Sequence, residues 1–108
     1  MAEPMRISPE EVHQKLKAGK ALLVCAYEDE AKFKKVKLQG AISFNEFKSK
    51  ITSLSKDQEI VFYWAWPREA SAAGQAARYL EQEYKDVRCL AGGVEAWKKA
   101  GYTVINSE

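Results

Sequence analysis

The sequence predicts one α/β domain, built on a mainly parallel five-stranded sheet with helices on both faces. Three observations carry that expectation. The runs Ala21–Ala26 and Glu59–Trp64 are apolar without alternation, the pattern of strands covered on both faces as in a parallel sheet. Segments with helical spacing of apolar residues separate these runs, so strands and helices alternate. A length of 108 residues with 46% hydrophobic and 30% charged residues suits one buried core and is marginal for two.

The elements follow in order. Ser8-Pro9-Glu10-Glu11 reads as an N-cap, a proline at the first helical position and an acid at the third that closes a capping box. Val12 and Leu16 then repeat at helical spacing, and Gly19 stops the helix. His13 lies beside this apolar stripe and is expected to be an exposed helix residue without a role. After the first strand, Glu28–Lys35 forms a short amphipathic helix carrying Ala31 and Phe33. Its lysines, from Lys32 to Lys37, are interrupted by Phe33 and Val36, which marks a solvated helix face rather than a phosphate-binding strip.

Gly40-Ala41-Ile42 is expected to be a small strand, and Ser43 or Asn45 can cap the helix that contains Phe47 and Ile51. The polar turn Ser55-Lys56-Asp57-Gln58 leads into Glu59–Trp64. Ala73, Ala76, Ala77, Leu80 and Tyr84 then lie on one helical face, with small residues that allow close approach to a sheet. Val87–Leu90 is a short strand, Gly92-Gly93 turns the chain, and Val94–Lys99 is a last helix ended by Gly101. The sequence has no internal repeat, linker or low-complexity segment.

Composition narrows the function classes. A net charge of +2 gives no electrostatic argument for nucleic acid or an anionic membrane. No apolar run approaches the roughly 20 residues that span a bilayer. The start, MAEPMRISPEE, lacks the apolar centre of a secretory signal, so a cytoplasmic location is the default expectation. Cys25 and Cys89 lie inside apolar strands, where cysteines behave as small hydrophobes, and a structural role is expected for both. Cys25 is the stronger of the two as a remote nucleophile, because the end of its strand should lie near the segment that follows Trp64; a disulfide between them stays open. One histidine and no CxxC spacing give no support for a metal, and no cofactor is expected.

In open parallel sheets, ligands gather at the carboxyl ends of the strands near the topological switch point. The junction Trp64–Ala70 is therefore the candidate site. A loop entering a helix N-terminus points several backbone N–H groups into one hollow, which suits an anion or a thiolate. A cysteine there would be a strong nucleophile, because those dipoles lower its pKa. The sequence has Trp64 at that point.

The segments LQGAISFNEF, FYWAWPREASAAGQAARYL and VRCLAGGVEAWKKAGYTV, in this order, resemble a single-domain rhodanese over roughly residues 7–105. The run Gly92-Gly93-Val94-Glu95-Ala96-Trp97, followed by Ala100-Gly101-Tyr102, is the most specific part. QGAI resembles the family's Pro-Gly-Ala-Ile turn, with Gln39 in place of proline. The resemblance implies a sulfurtransferase whose loop cysteine accepts sulfane sulfur from thiosulfate or another persulfide and passes it to a nucleophilic acceptor. It places Trp64 on the cysteine position, with Ala65, Trp66, Pro67, Arg68 and Glu69 completing the loop.

Other positions depart from the family in the same direction. The family's Asp and Arg after the second strand fall on Ala26 and Glu28, and its His before the turn falls on Lys37. The sixth loop position, often Arg, is Glu69, which disfavours an anionic substrate; Arg68 beside it partly offsets this or pairs with it.

An indole cannot form a persulfide. The expectation is therefore a rhodanese-like domain inactive as written, serving as a binding or regulatory module. The alternative is a sulfurtransferase whose cysteine was substituted at position 64, by drift or by design. Trp64 as a strand-end aromatic covering the core and Trp64 as a ligand-stacking ring are both open. Trp66, beside Pro67, is the expected anchor for a protein partner, and the Trp64–Ala70 loop the expected place for that partner or a small sulfur-containing anion. Related phosphatases need a cysteine and an arginine at the loop ends, which Trp64 and Glu69 do not provide.

Overall fold

The computed structural model describes residues 5–26, 30–35, 37–63, 74, 77–78, 84 and 86–105. Within them the chain runs β1 (Met5–Ile7), α1 (Pro9–Lys17), β2 (Ala21–Cys25), α2 (Glu30–Lys35), β3 (Lys37–Leu38), α3 (Phe44–Lys50), a 3₁₀ turn (Ile51–Ser53), β4 (Glu59–Tyr63), β5 (Val87–Leu90), α4 (Gly93–Lys99) and β6 (Val104–Ile105). The helix expected to carry Ala73 to Tyr84 lies mostly outside the described residues; Gly74, Ala77 and Arg78 are helical, whereas Tyr84 stands outside a helix and packs into the core.

Four strands form a parallel sheet in the order β1-β5-β4-β2. Register pairs Leu22 with Ile60 and Cys25 with Tyr63 between β2 and β4, and Phe62 with Cys89 between β4 and β5. Central position explains composition: Ile60, Val61, Phe62 and Tyr63 have no exposed surface, because both faces of β4 are covered. Val61 and Tyr63 join one core cluster with Val12 of α1, Phe33 of α2 and Val94 and Trp97 of α4. Ile60 and Phe62 join the other, with Phe44 and Phe47 of α3. The two faces thus alternate along β4, as strand geometry requires.

The expected Gly40–Ile42 strand is a single bridge. Ile42 pairs in parallel with Val24, its N–H donating to the Leu23 carbonyl at 2.9 Å and its carbonyl accepting from the Cys25 N–H at 3.0 Å. The residues beside it turn too soon, at Gly40 (φ 89°) and at the cap of α3, to extend the ladder. In compensation, β3 and β6 make a separate antiparallel pair, Lys37 with Ile105 and Leu38 with Val104. Pairs this short carry no alternation for a sequence to display.

Caps form where local chemistry directs them. Ser8 Oγ accepts from the Glu11 N–H at 3.2 Å, with Pro9 opening α1. Ser43, not Asn45, caps α3: its Oγ accepts from the Glu46 N–H at 3.0 Å, whereas Asn45 lies inside the helix. Ser43→Ala should therefore cost about 1 kcal/mol in urea denaturation, and Asn45→Ala, at an exposed site, less than about 0.5 kcal/mol.

Two tertiary contacts hold α1. His13 is half-buried rather than exposed. Its ring stacks on Tyr102 at 4.1 Å with an interplanar angle of 3° and meets Trp97 edge-on at 6.1 Å. The charged head of the β4 run, Glu59, is buried and joined to Lys15 of α1. Its Oε1 accepts a hydrogen bond from Lys15 Nζ at 2.9 Å, while Oε2, 2.6 Å from the same nitrogen, is held by charge rather than by hydrogen-bond geometry. A buried carboxylate needs such a partner.

Candidate functional site

β4 ends at Tyr63, and the segment that follows it is the candidate loop. Trp64, Ala65, Trp66, Pro67, Arg68, Glu69 and Ala70 lie outside the described residues, as does Glu28. What the structure defines is the root of that loop and its immediate surroundings.

The root is held on two sides. The Tyr63 carbonyl accepts from the Ala26 N–H at 3.0 Å, which carries the β2–β4 ladder one residue past Cys25. The Tyr63 hydroxyl accepts from the Leu38 N–H at 3.4 Å, tying the central strand to β3. Tyr63 is also the register partner of Cys25, and its hydroxyl meets that thiol. On the far side, the Ala91 N–H donates to the Ile7 carbonyl at 2.9 Å, just before the glycine turn into α4. Gly92 there has φ 75°, and a Cβ on it would lie 2.6 Å from the Ala96 side chain, so only glycine fits.

Burial pushes the Tyr63 hydroxyl well above the ordinary phenol range; the neighbouring Cys25 adds to the rise, and the Leu38 N–H opposes it. The sign for stability follows. Below pH about 10 the tyrosine is neutral in both folded and unfolded chains, and its contribution is complete. Above that, the unfolded chain loses a proton that the folded chain keeps, so stability falls as pH rises, by up to about 1.4 kcal/mol per pH unit. Tyr63→Phe should remove that part of the alkaline slope in denaturation curves measured at pH 9 to 11, which checks the prediction.

Neither cysteine faces solvent. Both are buried thiols outside any disulfide, and they lie on opposite faces of the sheet: Cys25 in the cluster with Tyr63 and Trp97, Cys89 in the cluster with Phe62. The intervening strand β4 separates them, so no disulfide joins them. The residues that follow β2, the Ile42 bridge and β5 are Ala26, Ser43 and Ala91, and none carries a charge. Lys37 opens β3 with its ammonium 5.6 Å from the centre of the Phe33 ring.

The structure brings Cys25 and Tyr63 together at the root of the loop. Tyr63 escaped the sequence reading because it sits in an apolar run. Its one available signal was a hydroxyl in the last position of a strand buried on both faces, where a partner is required.

Fold and loop root together define a single α/β domain with a mainly parallel sheet, helices on both faces and a candidate loop after a central strand. The chain belongs to the rhodanese-like domain family, whose profile matches residues 8–100. Solved structures agree in fold. The Alr3790 protein of Anabaena sp. is similar at 19% identity with a TM-score of 0.79, over 94% of this chain and 92% of its own. A thiosulfate sulfurtransferase of Pseudomonas aeruginosa is similar at 22% identity and TM-score 0.79, over 95% of this chain but 20% of its own. A Rhodopseudomonas palustris protein described as a possible tyrosine phosphatase is similar at 20% identity and TM-score 0.72, over 94% of this chain and 84% of its own. At these identities the likeness is one of fold. No curated protein matches the chain significantly. Among the described residues, no helix is long and apolar enough to cross a membrane.

Proposed function

We propose that this chain is a rhodanese-like domain of the sulfurtransferase type that does not transfer sulfur as written and serves as a binding or regulatory module. The observation that carries the proposal is the end of β4 at Tyr63, after which the next residue, at the position matching the family's cysteine, is an indole. Sulfane transfer requires a thiolate that attacks the donor and holds the sulfur as a persulfide. Trp64 has no such atom, and the two thiols of the chain are both buried. Glu69 in the loop and the uncharged residues at its root further disfavour a small anion there. A protein partner docked on Trp66 and Pro67 is the occupant this chemistry fits best.

A phosphatase reading fares worse despite the Rhodopseudomonas likeness, since a phosphoryl-cysteine intermediate meets the same missing atom. The second reading is a sulfurtransferase with a substituted cysteine. It is favoured by the intact β2–β4–β5 frame and by the likeness in fold to the Pseudomonas enzyme.

Thiosulfate treatment of the intact chain followed by mass spectrometry tests the proposal. No adduct of one sulfur atom is expected, and thiosulfate-to-cyanide turnover should equal the buffer rate. A one-sulfur adduct that vanishes on replacement of Cys25 would assign the chemistry to that thiol and overturn the proposal.

A further inference from the structure

A net charge of +2 conceals a segregation of charge along the chain. Between Glu11 and Glu28, between Glu30 and Glu46, and from Ala96 to Ser107, the chain holds nine lysines and no acid. These stretches supply most of α1, α2 and α4, with β3 and β6. Val12, Phe33, Leu38, Trp97 and Val104 from those five elements pack in one core cluster, so all five cover the same face of the sheet. We propose that the lysine-bearing ends of α1 and α4 on this face dock an acidic segment of a partner protein.

Topology brings the two ends together. α1 follows the carboxyl end of β1 and α4 that of β5, so both helices run back toward the amino-terminal end of the parallel sheet. His13 of α1 stacks at 4.1 Å on Tyr102, which stands two residues past the C-cap of α4. Lys17 lies about one turn beyond His13 on the same side of α1. Lys20 follows the turn at Gly19, and Lys98 and Lys99 form the last turn of α4. All four lysines are exposed, and among the described residues none of them is in an ion pair.

A helix dipole favours a base in the last turn, but it does not remove the acids. α3 also ends in lysines, and there Lys50 is paired with Glu46 at 3.2 Å. Lys15 of α1 is likewise matched, by the buried Glu59. The four unpaired ammonium groups instead add up to a positive potential, which steers an anionic partner onto this end. The half-buried Tyr102 gives the patch an aromatic centre on which a partner side chain can pack. The three stretches contain no arginine, whose planar fork suits phosphate. That favours carboxylates spaced along a protein segment over a nucleic-acid backbone.

Fluorescence anisotropy of labelled octaglutamate, titrated with the intact chain at low salt, tests this, with octaglutamine as the neutral match and octathymidylate as the nucleic-acid match. Saturable one-to-one binding of octaglutamate is expected, about tenfold tighter than octaglutamine, tighter than the oligonucleotide, and weaker as salt rises. Lys17→Gln combined with Lys98→Gln should weaken it about fivefold. Lys48→Gln combined with Lys50→Gln makes the same change of net charge on exposed positions of α3 and should weaken it by less than about twofold. Equal losses in the two pairs, equal binding of the two peptides, tighter binding of the oligonucleotide, or binding that never saturates would each overturn the proposal. The surface lies at the end of the sheet away from Tyr63, so the outcome is independent of the chemistry at position 64.

Discussion

Trp64→Cys is expected to turn a chain that takes up no sulfur into one that carries a single sulfane sulfur after thiosulfate treatment. The change supplies the missing nucleophile at the end of a central strand whose partners on both sides are in place. Turnover should stay low, because Glu69 remains in the loop. A second change, Glu69→Arg, should raise thiosulfate kcat/KM about another tenfold. In water, two unit charges about 6 Å apart interact by about 0.7 kcal/mol. A two-unit change facing a dianion multiplies this about fourfold, and physiological salt roughly halves it, leaving about 1.4 kcal/mol. Persulfide by mass spectrometry and thiosulfate-to-cyanide turnover read the two steps separately. A folded Trp64→Cys chain that takes up no sulfur would sink the substituted-enzyme reading and leave the binding module. Success of the single change would show a loop able to hold a sulfane sulfur once a thiolate is supplied.

Trp97→Ala should be the most damaging single core change, at about 3–5 kcal/mol in urea denaturation followed by far-ultraviolet circular dichroism. Trp97 has no exposed surface and is among the largest side chains in the core. It packs in the cluster that contains Val12, Cys25, Tyr63 and Val94, so its removal opens a cavity in the core that α4 shares with α1, α2 and the central strands. Its Nε1–H also donates to the Thr103 carbonyl at 2.9 Å, and its ring lies 5.1 Å from Tyr102, which is stacked on His13. A domain of this size has only about 5–15 kcal/mol to lose. Trp97→Phe, which keeps most of the volume but leaves that carbonyl without its donor, should cost less, about 1–3 kcal/mol. Equal losses for the two variants would show that the hydrogen bond, not the volume, carries the effect.

Much of the fold was legible because its determinants are local. Ser8-Pro9-Glu10-Glu11 directs its own helix start, and Ser43 reaches a donor three residues on. Ala21–Cys25 and Glu59–Tyr63 advertise burial on both faces by having no alternation. The Gly92-Gly93 turn follows from positive φ at both positions. Of the candidate site, the sequence and the structure share only its start: the fully apolar strand ends at Tyr63, and Trp64–Ala70 lie outside the described residues. The choice between Ser43 and Asn45 was open because both residue types cap helices, and the register of the α3 backbone decides which one stands outside the first turn.

By itself, then, the sequence determined the alternation of strand and helix, the two-faced core of β4, the Ser8 cap of α1 and the absence of a sulfur-carrying atom at position 64, since each depends on residues close in the chain. The tertiary structure alone decided what depends on distant partners. It paired Leu38 with Val104 and reduced the expected Ile42 strand to one bridge. It brought Lys15 to Glu59, stacked His13 on Tyr102, and set the Tyr63 hydroxyl between Leu38 and Cys25. Contacts between residues tens of positions apart leave no periodicity in the chain; they exist only once the sheet order β1-β5-β4-β2 has fixed which edges and faces meet.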